Sequence, residues 1–220
     1  MPAKLHQQPR LHHYLNTNTW NRLRYTLYAP VYDWTAPFAR ARRRSLALLD
    51  LQPGQRVLIP GAGTGLDLPW LPAGVEVTAV DLASAMLARL RERADRLGLP
   101  VDARVMDAHQ LAFPDAAFDA AVLHLIVAVI PQPVRLLHEV GRVLREGGRA
   151  VVFDKLVRPG QRPSAVRRAL NVVTNAVFSD ITRSLEPLLA GTSLQIVRRE
   201  PAALAGTYEI VLLEKRTASG

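Results

Sequence analysis

Three glycines at alternate positions, Gly61-Ala62-Gly63-Thr64-Gly65, follow directly on the short apolar run Arg56-Val57-Leu58-Ile59-Pro60. This pattern predicts a buried strand entering a tight turn. If the turn opens a helix, backbone N–H groups and the helix dipole face whatever lies above the sheet edge, a place suited to an anion or a polar cofactor. The dinucleotide fingerprint has its third glycine three positions after its second, whereas Leu66 stands there in this chain, which disfavours a nicotinamide cofactor. Asp81 ends a second β-branched run, Val75 to Asp81, 20 residues beyond Gly61. A carboxylate there can accept hydrogen bonds from both hydroxyls of a ribose. Asp107 ends a third run, Val101 to Asp107. The turn and the two acids together point to an adenosine-type ligand.

The elements that must hold these groups alternate between strand and helix. Ser84 is expected to cap a helix through Leu97, closed by Gly98. Phe118 to His124 reads as a fourth strand and Val134 to Arg145 as a helix, after which Gly147-Gly148 turns the chain into a fifth strand, Arg149 to Phe153. Such alternation means an α/β layer structure around a parallel sheet. Ser193 to Glu200 and Tyr208 to Lys215 are two further strands whose link, Pro201 to Gly206, is too short for a crossover helix, so they should pair antiparallel. Between the fifth strand and this hairpin, Ser164 can start an amphipathic helix with Val166, Ala169, Leu170, Val173 and Val177 on one face and Arg167, Arg168, Asn171 and Asn175 on the other.

Composition narrows the options further. The 220 residues are 49% hydrophobic and include no cysteine, which excludes disulfide scaffolds, cysteine-based metal sites and a thiol nucleophile and allows a reducing cytosolic setting. The polar stretch Met1 to Arg24 lacks the apolar core of a secretion signal, and the most apolar stretch, Ala120 to Ile130, is interrupted by His124. The net charge of +9 is uneven: residues 1–44 hold eight basic side chains against Asp33 alone, and residues 155–183 hold six against Asp180 alone. An anionic partner or a solubilising face would each account for this. His6, His12 and His13 lack acidic companions and fixed spacing, so no metal site is expected.

The chain resembles the class I S-adenosylmethionine-dependent methyltransferases from about Tyr25 to Lys215. Leu58 to Leu68 looks like that family's first motif, Val77 to Met86 its second, Met106 to Leu111 its third and Asp119 to Pro131 its fourth, and Val143 to Gly148 is also characteristic. The resemblance implies a Rossmann-like seven-stranded sheet, parallel except for the C-terminal strand, with helices on both faces. It implies S-adenosyl-L-methionine as cofactor, with Gly61, Ala62, Gly63 and Gly65 near its methionine portion. Asp81 would hold the ribose, Leu82 and Met86 would line the adenine, and Asp107 would accept from the adenine amino group with Ala108 and His109 flanking the ring. Pro60 departs from the pattern, standing where the family usually has an acid near the cofactor's ammonium group; Asp67 is an acid close enough in sequence to compensate or, equally, to cap or solvate a helix.

Among acceptors, the short bacterial phosphatidylethanolamine N-methyltransferases are most similar, through Gly61 to Pro69, Tyr28-Ala29-Pro30-Val31-Tyr32-Asp33 and Val127 to Pro133. Ubiquinone and menaquinone C-methyltransferases come next, and a non-catalytic cofactor-binding or membrane-associated module that kept the fold is the reading from a different class. Residues 1–50 form an expected basic, aromatic cap with seven of the 13 aromatic residues, and residues 51–220 the methyltransferase domain with a basic helical insertion at about 155–192. Both basic segments would border the carboxyl ends of the strands, and Arg interleaved with amphipathic rings suits an anionic bilayer surface. A lipid-like or small-molecule acceptor and a cytoplasmic protein, peripheral at the inner membrane face, are therefore expected. Without a proline-rich aromatic tetrapeptide after the fourth strand (Leu123-His124-Leu125-Ile126 stands there), and without cysteine, nucleic acid is not an expected partner. An ammonium has no lone pair, so an amine acceptor must first lose a proton. His124 is the candidate to take it, directly or through water, the alternative being a histidine hydrogen-bonded at the core edge. Tyr28 and Tyr32 could cover the cofactor or touch the acceptor, and Lys155 and Arg158 could hold an anionic head group.

Overall fold

A computed structural model describes residues 38–157 and 182–217. Along the chain lie α1 (Ala39–Ala47), β1 (Arg56–Pro60), β2 (Glu76–Asp81), α2 (Ser84–Leu97), β3 (Val101–Val105), β4 (Phe118–His124), α3 (Pro133–Val143), β5 (Leu144–Lys155), α4 (Leu185–Leu189), β6 (Leu194–Ala203) and β7 (Tyr208–Lys215). The strands form one seven-stranded sheet in the order β3-β2-β1-β4-β5-β7-β6. The first five strands are mutually parallel, while β7 runs antiparallel to both β5 and β6. The expected architecture is therefore observed, and the hairpin of the last two strands pairs as anticipated.

The central strands are apolar on both faces because both are covered. Leu58, Ala121, Leu123, Val152 and Val211 point to the side packed by Leu136, Leu137 and Val140 of α3 and Leu185 of α4. Val57, Ile59, Val122, Val151 and Phe153 point to the other side, packed by Leu46 of α1 and Leu87 and Leu90 of α2. Successive strands run outward from β1 to β3 and then return to β4 on the opposite side of β1. That reversal puts the topological switch point at the carboxyl ends of β1 and β4, the usual ligand position in an open α/β sheet.

Four local expectations shift, the first being the link expected at Pro201 to Gly206, whose first three residues belong to β6. Ser84 is the first helical residue rather than the cap; Ala83 takes that position, with its N–H held by the Asp81 carboxylate at 2.9 Å. Gly98 closes the helix in the left-handed conformation as expected, at φ 63°. The third strand ends at Val105, which leaves Asp107 in the following turn, and α3 stops at Val143, so the Gly147-Gly148 pair lies within β5. There the β4–β5 register jumps between Phe118 and Ala120, and the glycines absorb the irregularity. The amphipathic helix expected from Ser164 lies outside the described residues.

The two glycines carry different constraints. Gly147 has φ +67° with open space around a would-be Cβ, whereas a Cβ on Gly148 would sit 2.7 Å from the Arg145 carbonyl oxygen and 3.1 Å from that of Asp119. Gly147→Ala should cost about 1 kcal/mol, from left-handed backbone strain alone. Gly148→Ala should cost roughly 2–3 kcal/mol because backbone has to move. Urea midpoints at constant m-value check the order; equal losses would contradict it.

Candidate active site

The glycine turn leaves β1 with Gly61 at φ +64°, Gly63 at +56° and Gly65 at +77°. Three left-handed residues in five are open to glycine and strained for other residues, which explains the alternate spacing. The turn is closely packed as well: a Cβ on Gly61 would meet Ile126 Cδ1 at 2.5 Å. The expectation that a helix begins here is corrected. Pro69 and Pro72 interrupt the chain, and only a single 3-10 turn, Leu68–Trp70, follows. An α-helix dipole is therefore not what this turn offers a ligand; its N–H groups at Ala62, Gly63 and Gly65 are bonded to Val80, Asp81 and Ala62, which fixes its shape.

Asp81 stands at the carboxyl end of β2 and binds the turn to its own strand end. Its Oδ2 accepts the Gly63 N–H at 2.9 Å and its Oδ1 the Ala83 N–H at 2.9 Å. A carboxylate offers about four acceptor positions, so each oxygen retains capacity for a ligand hydroxyl, and the group is only half-buried. Burial raises the Asp81 pKa, opposed by the N–H groups of Ala83, Gly63 and Leu82. Leu82 is half-buried beside it, whereas Met86 is buried against Ala83.

Asp107 closes the other side. Its Oδ1 accepts the His109 N–H at 2.9 Å and lies 2.7 Å from His109 Nδ1. The Gln132 N–H donates to His109 Nε2 at 3.2 Å, an arrangement in which Nδ1 is the nitrogen that donates to Asp107. Buried His109 thereby links the turn after β3 to the loop after β4. Arg142 of α3 secures the same turn by donating to the carbonyls of Leu111 and Phe113, while Glu139 accepts the Leu111 N–H.

His124, at the end of β4, is buried. Its Nδ1 lies 2.6 Å from Asp67 Oδ1 and its Nε2 2.9 Å from Ser45 Oγ of α1. Arg42, also on α1 and buried, donates to the same Asp67 oxygen at 2.8 Å. Burial alone would raise the Asp67 carboxyl, but the charges of Arg42 and His124 and their hydrogen bonds reverse this and hold it well below the usual carboxylate range. With both ring nitrogens engaged inside the protein, the geometry favours the hydrogen-bonded histidine over a direct proton acceptor. Asp67 stands at the N-cap position of the 3-10 turn, but its side chain makes no capping hydrogen bond there; its Oδ1 is committed to Arg42 and His124.

At the ends of β5 and β7, Phe38, Phe153 and Tyr208 form an aromatic cluster, with the Phe38 and Tyr208 centroids 4.7 Å apart. Lys155 Nζ lies 5.7 Å from the Tyr208 ring centroid. Burial lowers the Lys155 pKa, opposed by neighbouring Asp154, while burial and then the Asp154 charge push the Tyr208 phenol up to about 12. Asp154, itself buried, accepts the Ala128 N–H at 2.8 Å and so ties the loop after β4 to the end of β5. Arg183 donates to the Val127 and Ile130 carbonyls of that loop. The loop begins at Leu125, a non-glycine residue at φ 58°.

The structure thus brings Gly61, Ala62, Gly63, Gly65, Asp81, Leu82, Asp107, Ala108, His109 and His124 to one end of the sheet, with Lys155 at the end of β5. Tyr28, Tyr32 and Arg158 lie outside the described residues. Arg42, Ser45, Asp154 and the Gln132 N–H were not singled out from sequence. Asp154 alone carried a signal, an acid at the end of the apolar run Val151-Val152-Phe153. The partners of Arg42 and Ser45 are remote in sequence and left none.

Comparison with known proteins agrees with this geometry. Residues 58–152 match the methyltransferase domain family. A phosphatidylethanolamine N-methyltransferase of Cereibacter sphaeroides is 37% identical over 177 residues, covering 80% of this chain and 87% of that protein. A demethylmenaquinone methyltransferase of Thermus thermophilus is 34% identical over 155 residues, covering 69% and 67%. Among solved structures, the [4+2]-cyclase SpnF superposes with a TM-score of 0.76 at 20% identity over 92% of this chain and 98% of that one. A geranyl diphosphate methyltransferase in complex with S-adenosylmethionine reaches 0.69 at 19% identity, over 80% and 85%. The fold, the glycine turn with its two acids and these relationships place the chain in the class I S-adenosylmethionine-dependent methyltransferase family, and it is an enzyme of that kind.

Proposed function

We propose that this methyltransferase acts on the amine of a membrane phospholipid head group of the phosphatidylethanolamine type. The observation that carries the reading is the 37% identity to the Cereibacter sphaeroides enzyme, which spans 80% of this chain and so extends past the cofactor motifs into the acceptor-side elements. Methylation of a quinone carbon is the second reading, favoured by the demethylmenaquinone methyltransferase relative.

In this reading Gly61, Ala62, Gly63 and Gly65 receive the methionine portion of the cofactor and Asp81 the ribose. Asp107, Ala108, His109, Leu82 and Met86 form the adenine side. When bound, S-adenosylmethionine supplies a methyl group already activated on a sulfonium. The chain's task is then to orient the nucleophile and exclude water. The aromatic wall of Phe38, Phe153 and Tyr208 provides the dry surface, and Lys155, with Tyr28, Tyr32 and Arg158, the acceptor contacts. His124 can reach an acceptor proton only by releasing Ser45. Among the described residues no helix is long and apolar enough to cross a membrane. We assign contact with lipid to a peripheral surface to which the cap of residues 1–50 and the insertion near 155–192 contribute. Exposed Arg40 and Arg43 of α1 contribute to it, each by about 1 kcal/mol near anionic lipid and less at high salt.

Two outcomes are expected. Radiolabel from S-adenosylmethionine should move into mono- and dimethylated phospholipid when vesicles contain phosphatidylethanolamine, and not when they lack it. Transfer to a demethylated quinone alone would select the second reading. For the cofactor, Asp81 must be ionised to accept ribose hydroxyls, and its pKa is raised. Affinity for S-adenosylhomocysteine should therefore fall on acidification from a pH above the ordinary carboxylate value of about 3.9. Asp81→Asn should weaken binding roughly 10- to 100-fold and flatten that dependence, as calorimetry across pH would reveal.

A further inference from the structure

We propose that Arg42 and Asp67 are positioning residues of the methyl-donor site, joined with His124 and Ser45 into a buried cluster that makes the order of α1 and the order of the glycine turn one event. The proposal rests on the reading of Gly61–Gly65 as the cofactor's seat and is independent of the acceptor's identity.

The cluster draws on three separate parts of the chain. Arg42 and Ser45 come from α1, Asp67 lies two residues beyond Gly65, and His124 ends β4, the strand next to β1. All three side chains that meet Asp67 directly or through His124 are buried, with Arg42 at 3% exposure, Ser45 at 0% and His124 at 6%. A buried carboxylate is stable only while its partners stay, and loss of α1 from its seat would take Arg42 away and leave Asp67 with His124 alone.

The position of Asp67 is transmitted to the turn by backbone. The Ala62 N–H bonds the Val80 carbonyl, the Gly65 N–H the Ala62 carbonyl and the Leu68 N–H the Gly65 carbonyl, at 3.0–3.1 Å each. Asp67 sits inside the last of these bridges. From the other side, Arg93 of α2 donates to the Thr64 carbonyl at 2.9 Å. The turn is therefore held by α2 on one flank and, through Asp67, by α1 on the other. Arg42 and Asp67 act on the cofactor only through the glycines they hold. By linkage, a ligand that fixes the turn must also tighten α1, and a mutation that frees α1 must weaken the ligand.

Calorimetry with S-adenosylhomocysteine, initial rates at varied S-adenosylmethionine and hydrogen exchange on the full chain test this together. Arg42→Met and Asp67→Asn should each raise the S-adenosylhomocysteine Kd at least tenfold and raise KM for S-adenosylmethionine in parallel, with kcat changed less than threefold. Val140→Ala, in the apolar cluster on the opposite face of the sheet, should lower Tm while leaving Kd within twofold, which separates positioning from general destabilisation. In the wild type, saturating S-adenosylhomocysteine should slow exchange in 39–47 as well as in 61–68, a readout that does not depend on either variant folding. Protection confined to 61–68, or Kd within twofold of wild type in the folded variants, would overturn the proposal. Failure of the wild type to bind S-adenosylhomocysteine at all would instead remove the reading of the turn.

Discussion

A charged carboxylate in a protein interior must be compensated by neighbours that cannot leave, and Asp67 imposes that condition on this molecule. Its partners come from the first described helix and from the central strand β4, so the helix, the glycine turn and the middle of the sheet are fixed relative to one another at one atom, Asp67 Oδ1. The aromatic packing of Phe38 on Phe153 and Tyr208 then extends the same docking toward β5 and β7. A methyl donor needs a seat of fixed shape because the reaction depends on alignment more than on acid–base chemistry. In the proposed reading, anchoring the turn from both flanks supplies that seat.

The sheet was legible from sequence because its central strands are buried on both sides and appear as uninterrupted apolar runs with clear punctuation. Arg56–Pro60, Phe118–His124 and Tyr208–Lys215 fall where the runs predict. Boundaries moved where side chains compete with simple rules. The Asp81 carboxylate takes the Ala83 N–H, which moves the start of α2 off Ser84, and the register jump beside Gly147-Gly148 lengthens β5 toward α3. The missing helix after the glycine turn was itself foreshadowed by Pro69 and Pro72, which outweigh the glycine pattern.

The site divides in the same way. Gly61, Gly63, Gly65, Asp81 and Asp107 announce themselves through local spacing, because backbone conformation and strand ends set their roles. His124 drew notice as a titratable group at a strand end, yet its roles are decided by Ser45, 79 positions away, and Asp67, 57 away. Charge arithmetic on the basic segments met a similar limit. Arg42 pairs with buried Asp67, Arg44 with Glu200, and Arg183 holds carbonyls of the loop after β4. Part of the apparent surplus is thus internal structure, and Arg40 and Arg43 are the α1 arginines exposed to solvent. The superposition with a cyclase at a TM-score of 0.76 makes the complementary point that the sheet alone does not dictate chemistry.

The position of β7 has a consequence for the birth of the protein. This strand, later in sequence than both its neighbours, inserts between β5 and β6 and supplies Tyr208 to the wall on which Phe38 rests. During synthesis, β1 to β5 can emerge and pair first, but β5 then presents an open edge until residues 208–215 arrive. The seat of α1 is incomplete over the same interval. Completion of the sheet and of the seat of α1 is thereby deferred until β7 is in place, so a chain interrupted before it carries an open, aggregation-prone sheet edge.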